Sequence, residues 1–196
     1  MSLITKLQVG TLVLGSLAMS AGCGVDDPPS STAADSRLPV VFEGKTYTAA
    51  EFDALALHPV HFGVTKDSIR DGYVLAFLDA AERDARVSEG HARSDGTQSI
   101  LRHNSKFYRD VSFNDKVLEL GPGEAALDLS GACNCLNQIS SLKASDDALI
   151  TRVFDLINLG GDSFGIATGA EISDLGPYTH NGFTWDNDIN SIEISP

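Results

Sequence analysis

Asp186-Asn187-Asp188, with Asn190 two residues further on, gathers carboxylate, amide and backbone oxygens on one short stretch. Calcium is a hard cation that takes about six to eight oxygen ligands, so this loop offers suitable chemistry. The stretch also imitates the first half of an EF-hand loop, but the sixth position is Ser191 where that loop needs glycine. A second constellation is Gly161-Asp162-Ser163-Phe164-Gly165, which satisfies the G-x-S-x-G of an esterase nucleophile elbow, with Asp174 and His180 following in hydrolase order. That elbow needs a strand before it and a helix after it. Residues 166–178 contain Gly169, Gly176 and Pro177 and show no helical stripe, so the esterase is a remote alternative. His58-x-x-His61 could offer two zinc ligands, yet no Cys or third His stands at ligand spacing nearby. Loop histidines flanking Pro59 are the simpler reading.

Cys133 and Cys135 stand two residues apart, near the upper limit of Cα separation for a disulfide in extended backbone, so a bridge would need a tight local turn. The other reading is a free thiol at Cys135 packing as a small hydrophobe. The third cysteine, Cys23, follows a different pattern. Lys6 supplies a positive charge, Leu7 to Met19 an apolar run, and Ser20-Ala21-Gly22 the small residues of a cleavage site. Because Cys23 follows directly, residues 1–22 resemble a bacterial lipoprotein signal, in which that cysteine is lipidated and becomes the mature N-terminus. The expectation is an exported protein, lipid-anchored at the cell envelope or surface, with ordinary secretion as the alternative.

The chain carries 14 basic and 27 acidic residues, a net charge of -13. A polyanion of this kind repels phosphate backbones, so nucleic acid is disfavoured as a partner, while cations are attracted.

The elements that position these residues fall into segments. Residues 23–37, the anchor cysteine and DDPPSSTAADSR, read as a disordered tether. Residues 38–97 read as a small α+β unit and connector. Val40-Val41-Phe42 and Tyr47 suggest a short strand pair, and Thr48-Ala-Ala-Glu51 has capping-box spacing for a helix continuing through Phe52, Leu55 and Leu57. His61 to Val64 and Tyr73 to Leu78 read as strands, the latter leading into a second capped helix at Asp79-Ala-Ala-Glu82. Residues 88–98 form a polar boundary.

Beyond it, Gly and Asn/Asp turns separate short apolar stretches, which reads as all-β, and the segment contains a repeat. At an offset of 46, Tyr108 meets Phe154, Phe113 meets Leu159, Asp115 meets Gly161, Leu118 meets Phe164 and Asp128-Leu129 meets Asp174-Leu175. After a four-residue insertion the offset is 50: Asn137 meets Asn187, Ile139 meets Ile189 and Ser141 meets Ser191. Two four-strand units paired as a Greek-key sandwich account for this most economically.

Residues 104–195 resemble the βγ-crystallin family in its microbial calcium-binding branch. That family opens each Greek key with an aromatic, four residues, an aromatic, one residue, then Gly. Tyr108 to Asp115 matches with Asp in the Gly position, and Phe154 to Gly161 with Leu159 for an aromatic. Each key closes with two Asn/Asp, two variable residues, Ser/Thr and Ser. Leu136 to Ser141 matches with Leu in the first slot, and Asp186 to Ser191 with Asn190 in the fifth.

The resemblance implies a mainly β, non-catalytic protein. Its calcium sites would join a closing loop to an opening hairpin, with side chains shared between the paired motifs. The implied side-chain ligands are Asn137, Ser140, Asn187 and Asn190, with Asp186 close by; backbone oxygens would come from Gln138, Asp188, Arg109 and Asp155. Leu136 and Asn190 depart from the pattern, so weak calcium binding is expected. In this reading Ser163 lies just past the hairpin glycine and pins the hairpin. Some secreted bacterial proteins with a similar sandwich act as metalloprotease inhibitors, an alternative that would make a protease or other extracellular protein the partner.

Overall fold

The computed structural model describes residues 36–58, 60–89 and 103–196. The signal-like segment, Cys23, most of the tether, Pro59 and the stretch between Glu89 and His103 lie outside the described residues. From Asp35 onward the chain clusters as one unit.

The N-terminal segment begins with a hairpin of β1 (Val40–Phe42) and β2 (Lys45–Tyr47), turned at Glu43 and Gly44, both at positive φ. Thr48 then starts α1 (Ala49–Asp53) through the expected capping box, its Oγ1 accepting from the Glu51 N–H at 3.2 Å while Glu51 accepts from the Thr48 N–H at 2.8 Å. The helix stops at Asp53, so Leu55 and Leu57 lie beyond it, contrary to the sequence expectation. Ala56 already stands at φ 50, which helical backbone does not allow. β3 (His61–Val64) follows as expected. A short α2 (Lys66–Asp71) was not anticipated; its box uses Ser68 where the usual pattern has Glu or Gln, and left-handed Gly72 ends it. β4 (Val74–Phe77) leads into α3 (Ala80–Ser88), which Asp79 caps by accepting from the Glu82 N–H at 2.9 Å.

The remainder is mainly β. The first Greek key consists of β5 (Ser105–Tyr108), a 3-10 turn at 111–113, β6 (Lys116–Leu120), β7 (Ala125–Ala126), a one-turn α4 (Leu129–Ala132) and β8 (Ser141–Lys143). The second has β9 (Ile150–Phe154), β10 (Ser163–Ala167), β11 (Glu171–Ile172), an added hairpin of β12 (Thr179–His180) and β13 (Phe183–Thr184), and β14 (Ser191–Ile194).

The repeat is present in the hydrogen-bond ladders. β5 pairs antiparallel with β6 and β8, and β9 pairs antiparallel with β10 and β14; Tyr108 opposes Ser141 as Phe154 opposes Ser191. The third strands are exchanged, since β7 pairs with β14 and β11 with β8. Each sheet therefore contains three strands of one key and one of the other, which ties the two keys into a single sandwich. Its core holds Phe107, Leu142 and Ile172 from one sheet and Val153, Phe164 and Ile192 from the other, all essentially without solvent contact. Full burial of each such side chain contributes about 1.5–3 kcal/mol.

The smaller sheet has the order β11-β8-β5-β6. The larger one does not end at β10: β3 pairs with it in parallel, giving β2-β1-β4-β3-β10-β9-β14-β7. The α+β segment thus continues the sheet of the second Greek key. Gly63 and Gly165 are register partners across this seam, and their missing side chains make room for α3. A Cβ on Gly63 would lie 2.6 Å from Val87 Cγ2, and one on Gly165 2.9 Å from Arg83 Cδ.

Candidate functional site

The two closing loops span equivalent buried anchors, Cys135 to Ile139 and Trp185 to Ile189, all four inaccessible to solvent. Between them Asn137 (φ 52) and Asn187 (φ 58) turn the chain in the left-handed region, which Asn tolerates better than most residues. The loops hydrogen-bond to each other reciprocally, Asn187 N–H to Ile139 O at 3.1 Å and Asn137 N–H to Ile189 O at 3.4 Å. Each loop is also fixed to its own hairpin. Ser140 N–H donates to Tyr108 O at 3.0 Å, and Asn190 N–H to Phe154 O at 2.8 Å.

These bonds bring the expected calcium residues into two groups related by the repeat. One contains Arg109, Ser140, Asn187 and Asp188; the other contains Asp155, Asn190, Asn137 and Gln138. In the first group Ser140 keeps its hydroxyl and Asn187 is exposed, and nearby Asp186 has a buried Oδ1 with no hydrogen-bond partner, an oxygen suited to a cation. The Arg109 guanidinium bonds to Asp115 and donates from Nε to Gln138 Oε1 at 3.0 Å. In the second group the Asn190 side-chain N–H₂ donates to Asp155 O, so an oxygen expected for calcium is already engaged. The first group fits calcium better.

Ser163 does not pin the hairpin as expected. The pins are Ser141 and Ser191: Ser141 Oγ donates to Asp110 O at 2.6 Å and accepts from Phe113 N–H, while Ser191 Oγ donates to Leu156 O at 2.6 Å and accepts from Leu159 N–H. Ser163 instead opens β10, where its Oγ accepts from Arg83 Nη1 at 2.6 Å and shares a hydrogen bond with His61 Nδ1 at 2.8 Å. Burial lowers the His61 pKa and the charge of Arg83 lowers it further.

The esterase constellation is not assembled. Ser163 is 1% exposed and begins a strand where an elbow would begin a helix, Asp174 accepts from the Gly176 N–H, and His180 is engaged by Asp162 and Asp188. Nor do His58 and His61 act as a pair, since His61 is bonded to Ser163 and His58 is exposed. Cys133 and Cys135 form a disulfide with Cα atoms 5.1 Å apart, and left-handed Asn134 between them supplies the tight turn.

A cluster absent from the sequence expectations lies under the β12–β13 hairpin. Ligating atoms of Asp155, Asp162 and His180 all fall within 4.8 Å of one another. Asn181 and Gly182 form the hairpin turn at φ 48 and 80, and the buried His180 ring stacks on Trp185 at 4.1 Å between centroids. Burial raises the Asp155 pKa against the pull of His180, and Asp162 and Asp188 raise it further. The Asn-Gly dipeptide is a strong hairpin signal, and it lies within the insertion that shifts the repeat offset from 46 to 50.

No protein-family model matches the chain, and no curated protein does. Among solved structures the chain is similar to βγ-crystallin domains. One, from work on the evolution of the eye-lens βγ-crystallin fold, is 16% identical over 48% of this chain and 86% of that chain, with a TM-score of 0.41. An archaeal βγ-crystallin is 21% identical over 48% of this chain and 99% of its own, TM-score 0.37. Protein S complexed with calcium is 21% identical over 48% of this chain and 49% of its own, TM-score 0.35.

Proposed function

We propose that this chain is an exported, lipid-anchored, non-catalytic binding protein whose Greek-key domain binds calcium weakly at its paired closing loops. The reciprocal hydrogen bonds between Asn187 and Ile139 and between Asn137 and Ile189 carry the reading, because they hold two oxygen-bearing loops against each other. Arg109 O, the Ser140 hydroxyl, the Asn187 side chain and Asp188 O would hold the ion, with the Asp186 carboxylate, whose Oδ1 has no hydrogen-bond partner, adding charge. Coordination would join loops that unfolding separates, so calcium would bind the native state in preference. The excess of acidic residues favours any cation near the surface.

Export and anchoring are supported by the pattern from Lys6 to Cys23. A Cys23→Ser variant is expected to leave the membrane fraction, and persistence there after export would contradict the anchor. Calorimetric titration with calcium tests the site. Binding is expected in the range of about 10⁻⁴ to 10⁻³ M, typical of extracellular modules, with Asn187→Ala and Asp186→Ala abolishing most of it. Absence of binding by the wild-type protein would contradict the reading.

A further inference from the structure

The imidazole of His180 is 2% exposed and lies between carboxylates on both sides. Nε2 is 3.1 Å from Asp188 Oδ2, while Nδ1 faces Asp162 Oδ2 at 3.4 Å and Asp155 Oδ2 at 4.0 Å. If Nε2–H donates to Asp188, Nδ1 presents a lone pair to two carboxylate oxygens, and three acceptors converge with no hydrogen between them. Either a proton or a metal ion must lie between them.

Several features favour the metal. Donor distances of about 2.0–2.1 Å to a tetrahedral zinc ion put neighbouring ligand atoms about 3.3 Å apart, close to the observed Nδ1–Oδ2 separation of 3.4 Å to Asp162. Asp188 stands where a ligating histidine characteristically has its outer carboxylate, fixing the tautomer that frees the other nitrogen. Asp155 turns Oδ2 toward the ring, while its Oδ1 is lodged where a Cβ on Gly161 would be 1.9 Å away, so the carboxylate is seated by that glycine. Asp162 is held from outside the cluster by the Val60 N–H at 3.4 Å, and Asn181 donates to its Oδ2. A cavity of about 300 Å³, lined by Asp155, Leu156, His180, Asn181, Phe183 and Asp188, gives access from solution.

We propose that Asp155, Asp162 and His180 form a site for a divalent transition-metal ion, zinc being the best match, beneath the β12–β13 hairpin and distinct from the closing-loop calcium site. Imidazole selects zinc and its neighbours over calcium, which prefers an all-oxygen shell. The site belongs to the second Greek key alone, because the first has no counterpart of the hairpin that carries His180.

The test is titration of the tag-free full chain with zinc chloride in excess calcium, followed by cobalt(II) as a spectroscopic substitute. The expected result is one zinc per chain and visible cobalt absorption. Asp155→Asn and Asp162→Asn should each weaken zinc by ~10-fold or more, and Asp188→Asn by roughly 10–100-fold through the outer hydrogen bond. Asp155→Asn keeps its backbone carbonyl, and its cooperative melting reports an intact fold. The proposal is overturned if the wild type takes up no zinc. It is equally overturned if a folded Asp155→Asn protein binds zinc as tightly as the wild type, the mark of scattered surface binding.

Discussion

Ser105 and Thr151 occupy equivalent positions in the two Greek keys, and their hydroxyls hydrogen-bond to each other at 2.8 Å inside the protein. A contact between equivalent residues places them on the approximate two-fold axis that relates the keys. The axis recurs in the reciprocal bonds of the closing loops and in the exchange of β7 and β11. Ser105 Oγ also accepts from the Ser145 N–H at 2.9 Å, so one buried hydroxyl serves two partners. Ser105→Ala would leave both without it and is expected to cost about 1–3 kcal/mol. Chemical denaturation measures this, and an unchanged midpoint would contradict the role.

Gly63 tests how the N-terminal segment is attached. The side chain of Gly63→Val would meet Val87 and Arg83 on α3. Over-packing of this kind costs about 1–3 kcal/mol. Since β3 belongs to the same sheet as the second Greek key, the whole chain from Asp35 should unfold in one transition at a lower temperature. Two separated transitions in calorimetry would show that the segment is an independent unit.

His61 sets a pH dependence. Its folded pKa lies below the ordinary 6.5, first through burial and then through Arg83. The unfolded chain therefore binds more protons between the two values, and stability rises with pH across that interval. The contribution is complete above about 6.5 and is lost as pH falls toward the folded value. Denaturation at pH 7 and pH 5 should give a smaller difference for His61→Gln than for the wild type, and equal differences would exclude this histidine as a source.

The Greek keys were legible because their geometry repeats at the residue level. Left-handed Asn137 and Asn187, the pinning hydroxyls Ser141 and Ser191, and the turn residues Asp115 and Gly161 each recur at the offset read from the sequence, so the repeat survives divergence of the core. Pairing of β3 with β10 was not legible, because a strand pair separated by about a hundred residues is specified by matching faces and by Gly63 opposite Gly165, not by a local signal. The Asp155, Asp162 and His180 cluster was hidden differently. Asp162 sits inside the esterase-like motif, and His180 lies in the inserted hairpin, which has no counterpart to align against. At Cys135 the repeat indicated a small residue replacing Trp185, while the disulfide with Cys133 depended on the backbone at Asn134.

The most direct test of the calcium site is the melting temperature of the full chain in excess chelator and in 10 mM calcium, the latter roughly 10–100 times the expected dissociation constant. Binding to the native state alone then contributes about 1.4–2.7 kcal/mol. For the single transition expected of Greek keys that share a sheet with the N-terminal strands, this corresponds to a rise of about 3–10 °C for a unit of this size. Asn187→Ala and Asp186→Ala should remove most of the rise, and Ser163→Ala should leave it in place. Superimposable melting curves in chelator and calcium would contradict calcium binding at the closing loops.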